Sequence, residues 1–86
     1  MKRVLYSDRF QKQYKRLPTN VKKKFNRQLG LLLGDYRHPS LGSKKMTNQG
    51  DIWEARIDKQ YRITFQIKDD FIFLRKVGTH EIYRKP

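Results

Sequence analysis

Arg56 and Arg62 lie on either side of the polar stretch Asp58-Lys59-Gln60. That stretch predicts a tight turn, which puts the two guanidiniums on neighbouring strands. Two guanidiniums brought side by side repel unless an anion lies between them, and the planar guanidinium fork is the group best matched to a phosphate. The other reading is a solvated face on which they pair with Glu54 and Asp58. His80 follows Gly78-Thr79 after the last apolar run. A group that titrates near neutrality can act there as general acid or base, although a lone histidine is more often an ordinary exposed side chain. Tyr83 could stack on a base or lend a phenol, or it could pack the tail onto the sheet edge. Lys44 and Lys45 suit phosphate contact or a solubilising loop. Lys22-Lys23-Lys24 is the exposed face of a helix and adds salt-dependent attraction for RNA. His38 has no acidic or histidine neighbour at ligand spacing, so no metal site and no cofactor are expected.

Composition narrows the partners. The chain has 86 residues, with 21 Lys+Arg against 8 Asp+Glu, a formal net charge of +13. This length makes one domain, residues 1–86, with a small core. The absence of cysteine excludes a disulfide framework, a thiolate nucleophile and Cys-ligated zinc. The apolar runs are too short to span a bilayer, and the N-terminus lacks a signal-peptide core, so a soluble, cytoplasmic protein without membrane contact is expected. Five Phe, five Tyr and one Trp in periodic positions argue against a solvated tail. A folded domain this basic calls for a polyanionic partner: nucleic acid, or an acidic protein that masks the same face.

The elements that must position these residues follow from spacing. Arg3 to Tyr6 reads as a strand, and Ser7 as the N-cap of a helix with Asp8 in its first turn. Phe10, Tyr14 and Leu17 make one helical stripe, which Pro18 ends. Thr19 or Asn20 can cap a second helix, with the stripe Val21, Phe25, Leu29, Leu32 and Leu33, ended by Gly34-Asp35. Tyr36 to Gly50 reads as a loop. From Asp51 the period becomes two. Trp53, Ala55 and Ile57, then Tyr61, Ile63, Phe65 and Ile67, alternate with polar residues, and Phe71 to Val77 is nearly continuously apolar. The order is β-α-α-β-β-β, an α+β fold with a two-helix hairpin on one face of a small antiparallel sheet. The apolar set goes under the helices, and Glu54, Arg56, Arg62 and Thr64 share an open face. A one-residue slip would reverse the two faces. Gly78 to Pro86 reads as a short polar tail.

The stretches His38-Pro39-Ser40-Leu41, Lys44-Lys45, Asp51-Ile52-Trp53-Glu54-Ala55-Arg56-Ile57, Tyr61-Arg62-Ile63-Thr64-Phe65 and Val77-Gly78-Thr79-His80, in that order, resemble the RelE/ParE superfamily of toxin–antitoxin toxins. They are most similar to its RelE/StbE and YafQ-like branches. Phe10, Leu17-Pro18 and the basic helix after them fit as well. The resemblance implies a ribosome-dependent, metal-independent endoribonuclease, an mRNA interferase that cuts mRNA in the A site by 2′-OH attack and arrests growth. It implies as partners the ribosome, mRNA and an acidic antitoxin, with the free toxin a monomer and the complex a hetero-oligomer.

Residue by residue, Arg62 matches the arginine that clamps the scissile phosphate. His80 matches the YafQ-like histidine that serves as acid or base, where RelE itself has an arginine. Arg56 matches a lysine of the second strand, and Glu54 matches another with its charge inverted, as a base or as an orienting carboxylate. Lys76 matches a basic residue before the Gly-Thr-His turn, with Arg75 as the alternate. Tyr83 resembles the aromatic that closes the motif, at a slightly different spacing. Lys44 and Lys45 would touch RNA backbone. The chain ends soon after the motif, which leaves little C-terminal helix to extend the site. Two alternatives share the fold: a ParE-like, non-catalytic inhibitor of DNA gyrase, and a degenerate relative that only binds RNA or an antitoxin. The pair Arg62 and His80 favours the nuclease.

Overall fold

The computed structural model of the chain describes residues 2–47 and 50–83. It contains β1 (Arg3–Tyr6), α1 (Asp8–Lys15), α2 (Thr19–Gly34), β2 (Lys44–Lys45), β3 (Trp53–Arg56), β4 (Arg62–Lys68) and β5 (Phe71–Gly78). Two 3-10 turns, Pro39–Leu41 and His80–Tyr83, fill out the order. The α+β fold with a helical hairpin on one sheet face is the one expected. The sheet differs in two ways. It has five strands in the order β1-β5-β4-β3-β2, and β1 runs parallel to β5, so it is mixed. The added strand is Lys44–Lys45, which pairs with Glu54 and Trp53 inside the expected loop. A two-residue strand of lysines carries no hydrophobic period. It forms because Gly42, at φ +55, turns the chain back onto the edge of β3.

Ser7 caps α1 as its position suggests. Its Oγ accepts from the Phe10 N–H at 2.9 Å and also donates to the Arg75 carbonyl at 2.6 Å. One hydroxyl therefore closes the helix start and ties it to β5. Gln13 adds a second tie, its Oε1 accepting from the Val77 N–H at 2.9 Å. These bonds satisfy the edge of β5 beyond Tyr6↔Leu74, where β1 has ended. α2 departs from expectation at its start. Pro18 is the cap residue and no side chain caps there, because Thr19 and Asn20 are already inside the helix.

The core lies between the helices and one face of the sheet. Phe10, Leu17, Val21, Phe25 and Leu32 meet Ala55, Ile57, Ile63, Phe65, Ile72, Leu74 and Val77, with Leu41 closing the end. Trp53, Tyr61 and Ile67 pack at its margin. The other face is less open than alternation predicts. Thr64 is fully buried and the Glu54 side chain is only 15% exposed. The chain after β5 is not merely a polar tail. Its 3-10 turn folds back so that Ile82, 5% exposed, sits on this face; a Cβ at Gly78 would stand 3.0 Å from Ile82 Cγ2. Leu74 and Val77 are both buried although three residues apart. A bulge opposite Thr64/Phe65 makes that spacing possible by inserting one extra residue between them.

Ser7→Ala removes both bonds of the hydroxyl. It should lower unfolding free energy by about 1–3 kcal/mol, read from the midpoint of a urea melt.

Candidate functional site

Cross-strand register brings most of the candidate residues onto the sheet face away from the helices. Arg56 lies directly opposite Arg62, and Arg62 opposite Gly78. The neighbouring row runs Lys44, Glu54, Thr64, Lys76. Residues opposed in this way have Cβ atoms about 5 Å apart, a span that a single phosphate bridges. His80 begins the 3-10 turn two residues beyond Gly78 and is exposed. Arg75 is the neighbour of Lys76 at the bulge, and its Nη1 donates to Gln66 Oε1 at 3.0 Å. Lys45 does not join the group. It pairs with Trp53, one residue out of step, so strand alternation turns it away from the Glu54 row, and it meets Asp51 at 3.8 Å. The backbone of Tyr83 closes the same 3-10 turn, while its side chain lies outside the described residues.

The two arginines do not pair with the carboxylates beside them in sequence. Glu54 pairs with Lys44 at 3.7 Å and Asp58 with Lys24 at 3.3 Å. Among the described residues neither Arg56 nor Arg62 forms an ion pair. Carbonyl oxygens hold them instead. Arg56 Nε approaches the Ser40 carbonyl at 3.5 Å, and its guanidinium lies over Gly42. Arg62 Nη1 donates to the carbonyls of Asp58 and Tyr61, the latter at 3.2 Å. Carbonyls orient a guanidinium without cancelling its charge. The backbone register opposes the two residues, and cations that keep their charge in this way are the groups an anion would bind.

Two residues support this arrangement: Gln28, which the sequence did not single out, and Asp58, which it offered as a turn residue and as a partner for the arginines. Gln28 replaces Leu29 in the buried stripe of α2, and its Nε2 donates to the carbonyls of Ser40 and Arg56 at 3.1 and 2.9 Å. It pins the 3-10 turn at residues 39–41 to the end of β3, so the same Ser40 carbonyl reaches Arg56. The spacing Val21, Phe25, Gln28, Leu32 was the available signal, a polar residue within a helical period. Asp58 shapes the turn before Arg62. Burial pushes its pKa up, but the N–H groups of Tyr61 and Gln60 and the Lys24 ammonium outweigh this and hold it below the ordinary carboxylate value.

No model of a known protein family matches the chain, and no curated protein matches it. Solved structures do. YafQ from E. coli strain BL21(DE3) superposes with a TM-score of 0.79 at 15% identity, over 96% of this chain and 98% of that one. The RelB-RelE antitoxin-toxin complex from Methanococcus jannaschii contains a match with a TM-score of 0.77 at 22% identity, over 95% and 99%. The intact E. coli RelBE toxin-antitoxin complex gives 0.77 at 20%, over 92% and 96%. At such identities the likeness is one of fold: this chain folds as the YafQ and RelE toxins do.

A carboxylate with a depressed folded pKa stabilises the protein above its unfolded pKa and loses that contribution as pH falls through the folded value. Asp58→Asn should therefore flatten the acid side of the stability curve below the ordinary value of 3.8. Urea melts of parent and variant at about pH 7 and about pH 3 should show the gap between them narrowing or reversing in acid.

Proposed function

We propose that the chain is the toxin of a type II toxin–antitoxin pair and cleaves mRNA on the ribosome. The observation that carries the proposal is the opposed pair Arg56 and Arg62, oriented by carbonyls and unpaired with any described carboxylate. The fold shared with YafQ and RelE toxins supports it.

In the proposed reaction the ribose 2′-oxygen attacks the adjacent phosphorus. A bond forms between them, the proton passes to a base, and the bond to the 5′-oxygen breaks as an acid protonates it. Charge builds on the phosphoryl oxygens in the transition state, and Arg62 and Arg56 lie where two cations can grip them. Lys76 and Arg75 add positive charge beside the pair. Glu54, in the next row, and His80, which opens the 3-10 turn after β5, are the groups able to accept and return the proton. Glu54 has the Lys44 ammonium 3.7 Å away. Lys44 and the basic α2 face, with Lys22, Lys23 and Arg27, supply attraction for RNA backbone.

The net charge of +13 makes an acidic antitoxin the natural partner in a hetero-oligomer, neutralising the basic surface until it is released. Several solved structures of the same fold are toxin–antitoxin complexes, DinJ-YafQ and RelB-RelE among them. No helix among the described residues is long and apolar enough to cross a membrane.

Primer extension on an mRNA in a purified translation system tests the proposal. Cuts inside the ribosomal A-site codon are expected, reduced at least about 100-fold by Arg62→Ala, the scale of losing one transition-state donor. An uncut message with normal translation would leave gyrase inhibition, or binding alone, as the better account. His80→Ala should slow cleavage by about 10²–10⁴-fold if its imidazole transfers the proton.

A further inference from the structure

The turn between β3 and β4 holds a device that the phosphate site needs. Asp58 Oδ1 accepts from the N–H groups of Gln60 and Tyr61, both at 2.8 Å. Its Oδ2 meets Lys24 Nζ of α2 at 3.3 Å, and the side chain is only 20% exposed. The carboxylate thus fixes the backbone of residues 58–61 and braces it against the helix layer. The carbonyls of that same backbone, at Asp58 and Tyr61, are the two acceptors of Arg62 Nη1. The Tyr61 carbonyl is itself held by the N–H groups of Ile57 at 2.9 Å and Asp58 at 3.3 Å.

A guanidinium has five N–H donors, two of them on Nη1. Both Nη1 donors are committed to the turn. Among the described residues Nε and Nη2 make no hydrogen bond. These two nitrogens form the side-on edge that binds an anion through two parallel bonds. The turn therefore consumes the edge not needed for a phosphate and leaves the useful one presented.

We infer that Asp58 is a positioning residue for Arg62, aiming its Nε–Nη2 edge at the scissile phosphate through the carbonyls of the turn. The inference rests on the proposed cleavage reaction for its consequence and on the turn geometry for its cause. A carboxylate on the turn orients a cation it does not neutralise. Its charge goes to Lys24, and its shape goes to the backbone.

The test compares Asp58→Ala and Asp58→Asn with the parent protein. An amide oxygen still accepts the two backbone N–H groups, so Asp58→Asn should keep cleavage within about threefold of parent. Asp58→Ala should lower the cleavage rate constant at saturating ribosomes by about 10- to 100-fold, the cost of a misplaced positioning group, with half-saturation changed by less than about threefold. In an Arg62→Ala background the Asp58→Ala loss should shrink to under about twofold, since groups that act as a unit are not additive. A thermal melt of each variant checks that it is folded at the assay temperature. A second measurement needs no activity. In ¹⁵N spectra Arg62 should show separate, slowly exchanging Nη1 hydrogens in the parent and in Asp58→Asn, and averaged ones in Asp58→Ala.

Unchanged cleavage in Asp58→Ala overturns the inference. So does an equal Asp58→Ala loss with and without Arg62, which would mark a merely structural role. A parent that leaves mRNA uncut refutes the nuclease function instead, and the Arg62 Nη1 signals then decide the positioning alone: averaged signals in parent and variant alike refute it.

Discussion

Strand β4 fixes the rest of the molecule. It is bonded along both edges, to β3 and to β5, and its residues Ile63 and Phe65 are fully buried against the helices. Burying those two side chains is worth about 1.5–3 kcal/mol each, which leaves the strand no freedom to slip. A slip of one residue would drive Arg62 into an apolar core and put Phe65 in water. Hydrophobic burial thus sets the register, and the register sets the charge pattern on the opposite face. Arg56 and Arg62 face each other because Ala55 and Ile63 do so beneath them.

The same constraint explains how so small a protein tolerates an unneutralised basic site. Repulsion between the arginines is carried by backbone, not by carboxylates. Carbonyls at Ser40, Asp58 and Tyr61 hold the guanidiniums, and two supporting residues hold those carbonyls. Gln28 grips the Ser40 carbonyl from α2, and Asp58 organises the turn while leaning on Lys24 of α2. Both supports originate in or end on that helix. The helical layer therefore fills the core from one side and, through its polar side chains, steadies the loops that reach round to the other.

Much of this was legible in the chain because burial has a period. The helical stripes of Phe10, Tyr14 and Leu17 and of Val21, Phe25, Leu29, Leu32 and Leu33, with the alternation from Trp53 to Ile67, placed both helices, the β3–β4 hairpin and the arginine pair. The Ser7 cap was legible because a hydroxyl before Asp8 has a local job. Gln28 was missed because a polar residue in an apolar stripe looks like an interruption until its two acceptors are brought to it by residues 40 and 56. Lys44–Lys45 was missed as a strand because two lysines have no period, and Lys45 was grouped with Lys44 although strand alternation separates them. Thr64 was expected in solvent. It is buried on the face to which Ile82 returns, and nothing in a nine-residue polar-looking tail announces that return.

The amino-acid sequence by itself determined the α+β class, the apolar face of the sheet, the basic character and the pairing of the two strands that carry Arg56 and Arg62. Each of these depends on side-chain type and on spacing within a few residues, which local physics can read. Tertiary structure alone decided the parallel pairing of β1 with β5, the bulge that lets Leu74 and Val77 share one face, and the partners of each charge. Arg62 binds carbonyls, and Asp58 binds backbone and Lys24, although in sequence the two look like an ion pair. Such choices compare alternatives of similar energy between groups distant along the chain. Only the fold, by setting which of them are within 3 or 4 Å, selects among them.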